Sequence, residues 1–378
     1  MRITFLVDNL PHPTLPLLTE HGLSMYIDQI TPNSSLLTPN SILCDMGASG
    51  AYIKNAKALG IDLDTCHWAF LSHGHADHTG GLGKWIAQYG HIPVYASHHI
   101  PTLQCFSSRP KKVASHKSQI KSQCKVSAEA SLLDYAEPQP DFMSEANKVA
   151  SQRFNDSAIQ HSRSELRYIG ADLNLFHGHT PWFKPIEQNT WISPGIALVH
   201  PTCRTYPKPL GNKYLTAVAS QCEVTDESFN RLIDKSYNCL IEEPSTIQRE
   251  RSEQINDSAI QPEQSEIDPF LHEIALAFVT EKGLVIVSCC SHHGALNTIA
   301  SCMEFTGCNT LHAYIGGLHF VDSPEVEAET TSFISDWLRL YPNAHLYTGH
   351  CTCPKAAALL KAHLPHCHTF YTGKVVEV

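Results

Sequence analysis

Short apolar segments separated by turn residues dominate the first hundred positions of the chain. The segments with the length and apolar content of buried strands are 2–8, 20–28, 41–45, 67–72 and 93–97. Between them, residues 51–60 have helical spacing and end on a glycine, and a further helix is expected from about Gly81. This alternation of strands and helices predicts a layered α/β architecture.

The same pattern returns from about residue 270 onwards. Two apolar runs joined at Glu281-Lys282-Gly283 predict a hairpin of strands. The elements expected after it are a helix at 297–306, a strand at 311–320, a helix at 326–341, a strand at 345–351 and a helix at 354–364. Two similar halves fit a single domain of residues 1–378 better than two independent domains.

Two long polar stretches interrupt these halves, at about 103–165 and 207–267. Ser, Lys, Gln and Glu dominate them, and the apolar periodicity fades. Both contain the hexapeptide NDSAIQ, at 155–160 and at 256–261. The repeat is either a duplicated functional element or solvated insertion sequence, and the polar composition favours the second. We therefore expect long loops or mobile helices inserted into the domain.

Composition and charge narrow the class of protein. The chain of 378 residues is 42% hydrophobic and 17% charged, which is typical of a globular protein. Its formal charge of −10 argues against nucleic acid as a partner. No apolar run approaches the roughly 18 residues that spanning a membrane requires. A small molecule is therefore the expected partner.

The N-terminus and the cysteines indicate the compartment. The opening sequence MRITFLVDNLPHP lacks a long apolar region and a small-residue cleavage site, so it is interpreted as a first strand and not as a signal peptide. In a cytoplasmic chain the fourteen cysteines are expected to be reduced thiols and not a disulfide framework.

The segment 72–81 carries the strongest chemical signal. It follows a predicted strand and places His73, His75, Asp77 and His78 within six positions. Imidazole nitrogens and carboxylate oxygens are the ligands that zinc and similar divalent ions prefer. Histidines two positions apart can reach one ion, while Asp77 and His78 can serve a second. The sequence predicts a centre for one or two ions of zinc, with iron or manganese as alternatives.

This segment resembles the His-x-His-x-Asp-His motif of the metallo-β-lactamase superfamily, and CDMGASG is similar to that family's Asp-x-Gly strand end. The resemblance implies an αββα sandwich with the metals at one edge of two facing sheets. It implies that His73 and His75 bind one ion and that Asp77 and His78 bind the other. It also implies that Asp45 orients a ligand histidine.

A narrower resemblance covers most of the sequence outside the polar stretches. LCDMG, LSHGHADHTGGL, GLVIVSCCSHHGALNT, YIGGLHF and GHCT are together similar to the subgroup typified by the archaeal 7,8-dihydropterin-6-methyl-4-(β-D-ribofuranosyl)aminobenzene-5′-phosphate synthase. This resemblance implies that His292 completes the first metal group and His350 the second. His319 stands where other members carry a metal-bridging aspartate, since glycines occupy 316 and 317. It is assigned either to the pocket wall or to the metal.

The segment FHGHTPWF offers competing histidines. Its Gly-His-Thr-Pro resembles the third-ligand motif of hydrolytic relatives, so His179 competes with His292. The subgroup instead carries Gly-Glu-Ile-Pro-Arg here, and Trp182 replaces the arginine. Because arginine is a preferred phosphate anchor, this replacement loosens the link to the subgroup's substrate. We interpret His177 and His179 as candidates for the pocket wall.

These features together predict a metal-dependent hydrolase in which a metal-bound water attacks an ester or phosphoester of a small molecule. Asp77 would bind metal and orient the water, and His319 or His293 would donate a proton. The alternatives are a synthase acting on a pterin and a ribosyl phosphate, and a metal-binding sensor without turnover. A thiolate metal site is an alternative for Cys289, Cys290, Cys351 and Cys353, but no second pair at zinc-ribbon spacing accompanies Cys351 and Cys353. Cys290 and Cys351 are therefore interpreted as small buried apolar residues.

Overall fold

The computed structural model describes residues 1–30, 41–109, 167–178, 180–219 and 266–378. Within these residues two seven-stranded sheets face each other, and a small third sheet lies beside them. With strands numbered in chain order, the first sheet has the order β18 (Val375–Glu377), β1 (Arg2–Val7), β2 (Ser24–Asp28), β3 (Ser41–Cys44), β4 (Trp68–Leu71), β5 (Val94–Ser97) and β8 (Phe183–Ile186). The second sheet has the order β17 (Cys367–Thr369), β16 (His345–Thr348), β15 (Leu311–Ile315), β14 (Gly283–Val287), β13 (Ala275–Thr280), β10 (Ile196–Val199) and β9 (Thr190–Ser193).

Helices cover the outer faces of both large sheets. The first sheet is covered by α1 (Ala51–Ala58) and α3 (Leu82–Tyr89), and a short α2 (Ala76–Thr79) lies between them in sequence. The second sheet is covered by α4 (Ala295–Thr306), α5 (Val326–Leu340) and α6 (Pro354–His363). No helix in the described part of the chain is both long enough and apolar enough to span a membrane.

Alternation along the strands builds three layers of core. In β13, Ala275 and Ala277 pack against the helices of the second sheet, whereas Leu276 and Phe278 pack between the two sheets. Successive side chains of a strand point to opposite faces, so a strand that is apolar throughout requires cover on both sides. The result is a four-layer αββα sandwich, which confirms the predicted fold class.

Most predicted elements are present, with shifted ends. β13 and β14 pair with Thr280 opposite Gly283, so the hairpin turn at 281–282 is confirmed. The apolar run at 20–28 forms a strand only from Ser24. Its first residues form a loop because the Glu20 carboxylate accepts the backbone N–H groups of residues 48 and 49, each at 3.0 Å.

The third sheet shows that the ends of both polar stretches are structured. It has the order β12 (Glu266–Ile267), β11 (Leu215–Ala219), β6 (Leu103–Ser107) and β7 (Arg167–Tyr168). β6 and β11 pair antiparallel along their full length, although both lie inside the stretches predicted as loops or mobile helices. The rest of these stretches, including both NDSAIQ segments, lies outside the described residues.

Gly81 and Gly83 provide a matched pair for a stability test. A Cβ atom at Gly81 would lie 2.2 Å from the backbone oxygens of residues 46 and 49, whereas a Cβ at Gly83 would meet nothing closer than 3.8 Å. We expect Gly81→Ala to lower the free energy of unfolding by about 2 kcal/mol. Gly83→Ala, inside α3, should raise it by about 0.5–1 kcal/mol. Denaturant unfolding of the metal-free variants measures both, and equal effects would contradict the packing described.

Candidate metal centre

The predicted ligands follow strands that end at one edge of the sandwich. β3 and β4 are parallel neighbours in the first sheet, as are β14, β15 and β16 in the second. The carboxyl ends of parallel strands meet at one edge of a sheet, where ligands commonly bind. The segments that follow these five strands carry Asp45, His73, His292, His319 and His350.

Four residues in these segments have left-handed backbone conformations. The φ angles are 56° at Asp45, 58° at Ser291, 53° at His319 and 50° at His350. A residue other than glycine in this region costs on the order of 1 kcal/mol or more, and such strain clusters at functional sites. These turns bring side chains from both sheets into the same space.

The first ligand group consists of His73, His75 and His292. Nε2 of His73 lies 3.1 Å from Nδ1 of His75 and 3.4 Å from Nε2 of His292. All three rings are buried, and burial lowers the pKa of each, to about 3 for His75. The rings are therefore neutral at physiological pH, which is the form that binds a metal ion.

The second ligand group consists of Asp77, His78 and His350. Nε2 of His350 lies 3.0 Å from Nε2 of His78 and 3.4 Å from Oδ2 of Asp77. Burial would raise the pKa of Asp77, but the neighbouring imidazoles outweigh it and hold that pKa well below its usual value. Burial would lower the pKa of His350, but Asp77 and nearby acidic groups raise it to about 9. A proton is therefore held on His350 until an ion replaces it.

Asp45 determines which ring nitrogen carries the proton in two ligand histidines. Its buried carboxylate accepts the backbone N–H and the hydroxyl of Ser72, each at 2.7 Å, and Nδ1–H of His78 at 2.6 Å. Because the Ser72 hydroxyl donates to Asp45, its oxygen accepts Nδ1–H of His73, 2.9 Å away. Nε2 of both His73 and His78 is therefore a free acceptor. This contact agrees with the role predicted for Asp45.

Two asparagines orient the histidines of the second sheet. Asn212 donates its amide to the backbone carbonyl of His292 at 2.7 Å, so its Oδ1 accepts Nδ1–H of the same residue at 3.2 Å. Asn9 donates to the carbonyl of His350 at 3.0 Å, and its Oδ1 lies 3.3 Å from Nδ1 of that ring. In the neutral form, each ring presents the lone pair of Nε2 to the centre.

These lone pairs face one another at distances that fit shared metal ions. In the first group, Nε2 of His73 and Nε2 of His292 are acceptors 3.4 Å apart that repel each other unless a cation lies between them. In the second group the proton on His350 is that cation, and Nε2–H of His350 donates to Nε2 of His78 at 3.0 Å until an ion replaces the proton. In a tetrahedral zinc site with Zn–N bonds of about 2.0–2.1 Å, neighbouring nitrogens are about 3.3 Å apart. The donor atoms of both groups therefore fit divalent ions.

Buried acids support the loops of the centre. Glu273 accepts the backbone N–H of His292 at 2.7 Å and that of His293 at 2.9 Å. Its Oε2 also lies 2.7 Å from Nδ1 of His293. His293 was predicted as a proton donor, and this contact uses one of its two ring nitrogens. Nearby, Nε2 of His272 lies 3.0 Å from Asp268. Sequence reasoning missed these acids, because they follow a polar stretch and have no motif spacing.

Two further side chains lie beside the ligand groups. Sγ of Cys290 lies 3.2 Å from Nε2 of His78, although these residues are 212 positions apart in sequence. The ring of His319 is 7% exposed, and its centroid lies 4.3 Å from that of His292. Sequence reasoning weighed a thiolate site for Cys290 but favoured a buried apolar role, since no spacing signal connects it to His78.

The sequence offered two candidates for the third ligand of the first group, His292 and His179. His292 lies in the first group, whereas His179 lies outside the described part of the chain. His177 is half-buried and follows a 3₁₀ turn at Leu173–Phe176. Trp182 is buried against Phe176 with ring centroids 5.4 Å apart, so this position provides apolar packing and no phosphate anchor.

Comparisons with known proteins agree with the fold. The family model of the metallo-β-lactamase superfamily matches residues 33–111. Over 112 residues, 29% of the chain, the sequence is 33% identical to the 7,8-dihydropterin-6-methyl-4-(β-D-ribofuranosyl)-aminobenzene-5′-phosphate synthase of Methanocaldococcus jannaschii. That match spans 37% of the relative's length. The crystal structure of Tm1679, described as a metal-dependent hydrolase of the β-lactamase superfamily, is similar with a TM-score of 0.59 and 21% identity, covering 100% of this chain and 99% of the other.

Proposed function

On the premise that this chain has the metallo-β-lactamase fold, we propose that it is a metal-dependent hydrolase of a small-molecule ester or phosphoester. The observation that carries the proposal is the convergence of histidine ring nitrogens in two ligand groups, at 3.0–3.4 Å from one another. We propose zinc as the ion, with iron and manganese as alternatives, because imidazole and carboxylate ligands suit all three. Tm1679, which has a similar fold and is described as a metal-dependent hydrolase, supports the same reaction class.

Each residue of the centre has a separate role in the proposed hydrolysis. When bound, a divalent ion lowers the pKa of a water molecule to about 7, and its positive charge stabilises the developing oxyanion. Asp77 stays ionised at neutral pH, so it accepts a hydrogen bond from the attacking water and orients it. His319, packed against His292, is placed to donate a proton to the leaving group. Asp45 keeps the ligand nitrogens free of protons.

A cationic side chain near the centre supports a phosphorylated substrate. Nζ of Lys208 lies 5.9 Å from the ring centroid of Phe270, and that ring stacks on His292 at 4.3 Å. Lysine is a usual partner of phosphate groups. We propose that Lys208 binds the phosphate in place of the arginine that is missing at Trp182.

We propose the cytoplasm as the compartment, in agreement with the cysteines around the centre. Cys290 and Cys351 are free thiols close to the ligand groups. Thiols in this position remain reduced in the cytoplasm, whereas an oxidising compartment exposes them to oxidation. The proposal is tested by locating a tagged full-length chain after cell fractionation.

A synthase is the second candidate, because the sequence is 33% identical over 112 residues to a 7,8-dihydropterin-6-methyl-4-(β-D-ribofuranosyl)-aminobenzene-5′-phosphate synthase. Such an enzyme would join a pterin to a ribosyl phosphate compound: a bond forms to the 6-methyl carbon of the pterin, and a pyrophosphate ester on that carbon breaks and leaves as pyrophosphate. The two candidates differ in their products. Incubation with a 6-methylpterin pyrophosphate ester and a ribofuranosyl-aminobenzene phosphate should give no coupled product if the protein is a hydrolase of simple esters.

The hydrolase proposal is tested with His75→Ala and a matched surface variant, His363→Ala. Each purified protein is analysed for metal content and assayed on carboxylic esters, phosphomonoesters and phosphodiesters. We expect His75→Ala to lose metal from the first group and to lose activity by more than about 100-fold, since outer residues of metal sites alone cost 10–100-fold. His363 is exposed at the end of α6, so His363→Ala should match the wild type.

Any of three results would contradict the hydrolase proposal. One is a wild-type protein that binds no divalent ion after incubation with zinc, manganese or iron(II). The others are a metal-loaded protein that hydrolyses none of the ester classes and a His75→Ala variant with unchanged activity. Tight metal binding without turnover of any substrate would instead support the metal-binding sensor.

A further inference from the structure

We propose that Cys290 is a thiolate ligand shared by the two metal groups. The inference rests on the proposed metal centre, but it is independent of the reaction that the centre catalyses. It assigns to Cys290 a binding role in which its thiol proton is released to solvent and its sulfur bonds to both ions. Thiolate is a ligand for zinc, iron(II) and cobalt(II) but not for magnesium or calcium, so it also narrows the choice of metal.

The position of the sulfur carries the proposal. Sγ of Cys290 lies 3.2 Å from Nε2 of His78, in the second group. It also lies within 4.8 Å of a ring nitrogen of His73 and His292 in the first group, and of His350 in the second. In a tetrahedral site with Zn–S and Zn–N bonds of about 2.3 and 2.05 Å, sulfur and nitrogen are roughly 3.5 Å apart. The sulfur is thus at ligand distance from the space between both groups.

The turn that carries Cys290 is held rigidly. The next residue, Ser291, has a φ of 58°, and its hydroxyl donates to the carbonyl of Gly317 at 2.5 Å. The two backbone N–H groups after it are both accepted by Glu273. A cysteine in such a turn is fixed beside the centre and is 3% exposed. Its sulfur needs no rearrangement to reach an ion, which keeps the cost of ordering small.

At the end of the neighbouring strand, β15, two glycines prevent another side chain from occupying the position of Cys290. A Cβ atom at Gly316 would lie 1.8 Å from the carbonyl of Ser288, and one at Gly317 would lie 2.3 Å from Sγ of Cys351. No side chain fits at either glycine without displacing its neighbours. The segment after β15 therefore places no carboxylate between the ligand groups.

Charge also favours a thiolate at this point. The five ligand imidazoles are neutral when they bind metal, and Asp77 alone contributes a negative charge to the two ligand groups. Two divalent ions bring four positive charges into a buried site. A second anionic ligand between the ions reduces their mutual repulsion, which is strong in a medium of low dielectric constant.

Cobalt(II) titration of the full chain tests the inference with a readout that does not depend on activity. Metal-free protein is titrated with cobalt(II), and the near-ultraviolet charge-transfer band of a sulfur–cobalt bond is recorded together with the number of ions bound. We expect the wild type to bind two ions and to show the band. Cys290→Ser should lose the band and bind cobalt roughly tenfold more weakly or worse.

Three further variants separate a ligand role from a structural one. Cys353→Ser, at the start of α6, and Cys351→Ser should both retain the band. Cys290→Asp should restore the binding of two ions without the band, because a carboxylate can bridge two ions but contributes no sulfur. This rescue distinguishes a ligand from a thiol that merely fills space, and it covers the case in which Cys290→Ser fails to fold.

The outcomes separate this inference from the metal centre itself. If wild-type protein binds two ions without a sulfur band, or Cys290→Ser retains the band, the inference that Cys290 is a shared ligand is wrong. The proposed metal centre is not affected by either result. If the band disappears in Cys351→Ser but persists in Cys290→Ser, the sulfur ligand is Cys351 and not Cys290, and the inference is again overturned. If wild-type protein binds no cobalt at all, both the inference and the proposed function fail.

Discussion

Replacing Asp45 with alanine should remove metal from both ligand groups at once and lower the free energy of unfolding by about 3–5 kcal/mol. The carboxylate is fully buried and accepts three hydrogen bonds, two from Ser72 and one from His78. Removing it leaves buried donors without an acceptor, and each costs about 1–3 kcal/mol. It also removes the constraint that keeps Nε2 of His73 and His78 free to bind metal.

Asp45→Asn separates the effect on protonation from the effect on packing. The amide has nearly the shape of the carboxylate, but its NH₂ group would donate where Asp45 accepts. His78 would then carry its proton on Nε2, and the Ser72 hydroxyl would turn to donate to Nδ1 of His73. We expect Asn to retain most of the stability and to lose metal affinity by at least about 10–100-fold.

The measurements are metal content, equilibrium unfolding and the nitrogen NMR shifts of the histidine rings. Asp62→Asn is the matched control, because Asp62 caps an exposed turn by accepting the N–H of Asp64 and asparagine caps equally well. An Asp45→Asn variant that binds two ions with wild-type affinity would show that Asp45 does not determine the protonation of these histidines.

Removing the metal should lower the melting temperature by roughly 10 °C or more. Ions bound at about 1,000 times their dissociation constant stabilise a protein by about 4 kcal/mol for each site, and two sites contribute about twice that. In a domain larger than about 150 residues, each kcal/mol shifts the melting temperature by about 2–4 °C. Without ions, the facing ring nitrogens of His73 and His292 also repel each other.

The pH dependence of this effect has a defined sign. The pKa of His350 is raised from 6.5 to about 9 in the metal-free fold, so its proton stabilises that fold below pH 6.5 and the contribution is lost between pH 6.5 and about 9. An ion must displace this proton, so metal affinity at the second group should rise with pH up to about 9. The melting temperature gained on adding zinc should therefore increase across this range.

Scanning calorimetry of metal-free and zinc-loaded protein between pH 6 and pH 9 measures both effects. Magnesium serves as the matched control ion, because it binds nitrogen ligands poorly and should not restore the melting temperature. A melting temperature that does not change on chelation, or a zinc effect that falls as the pH rises, would contradict the arrangement described for Asp77 and His350.

The core of the fold was predictable because its strands are apolar on both faces. The runs of β4 and β14 are short and continuous, β14 is rich in β-branched residues, and β13 and β14 are joined by a two-residue turn. Strands at the edge of the site were not predictable in the same way. β6 and β11 belong to a small sheet whose side chains are only partly buried, so their sequence carries little periodicity.

The candidate centre was predictable where its residues are close in sequence. His73, His75, Asp77 and His78 form one loop, and the chemistry of that loop is visible without a structure. His292 and His350 were assigned through a resemblance that placed them at strand ends. The geometry brings these predicted ligands together, while their roles as ligands stay a prediction.

The supporting residues of the centre were not predictable from local patterns. Asn212 is 80 positions from His292, and Cys290 is 212 positions from His78. Their contacts depend on how the two sheets face each other, which no local pattern encodes. The protonation of the ligand rings depends on the same contacts, so the sequence could suggest the ligands but not the form in which they bind.

The ligands of the centre come from both sheets, so the order in which the chain is synthesised determines when each ligand group can form. Residues 73–78 emerge from the ribosome first, when neither His292 nor His350 has been made. His350 belongs to the second group, and its backbone N–H donates to the carboxylate of Asp8, 342 positions away in sequence, at 3.1 Å. The second ligand group therefore cannot be complete before β16 joins its sheet, whereas the first group needs only His292. The first group can form on a shorter nascent chain than the second.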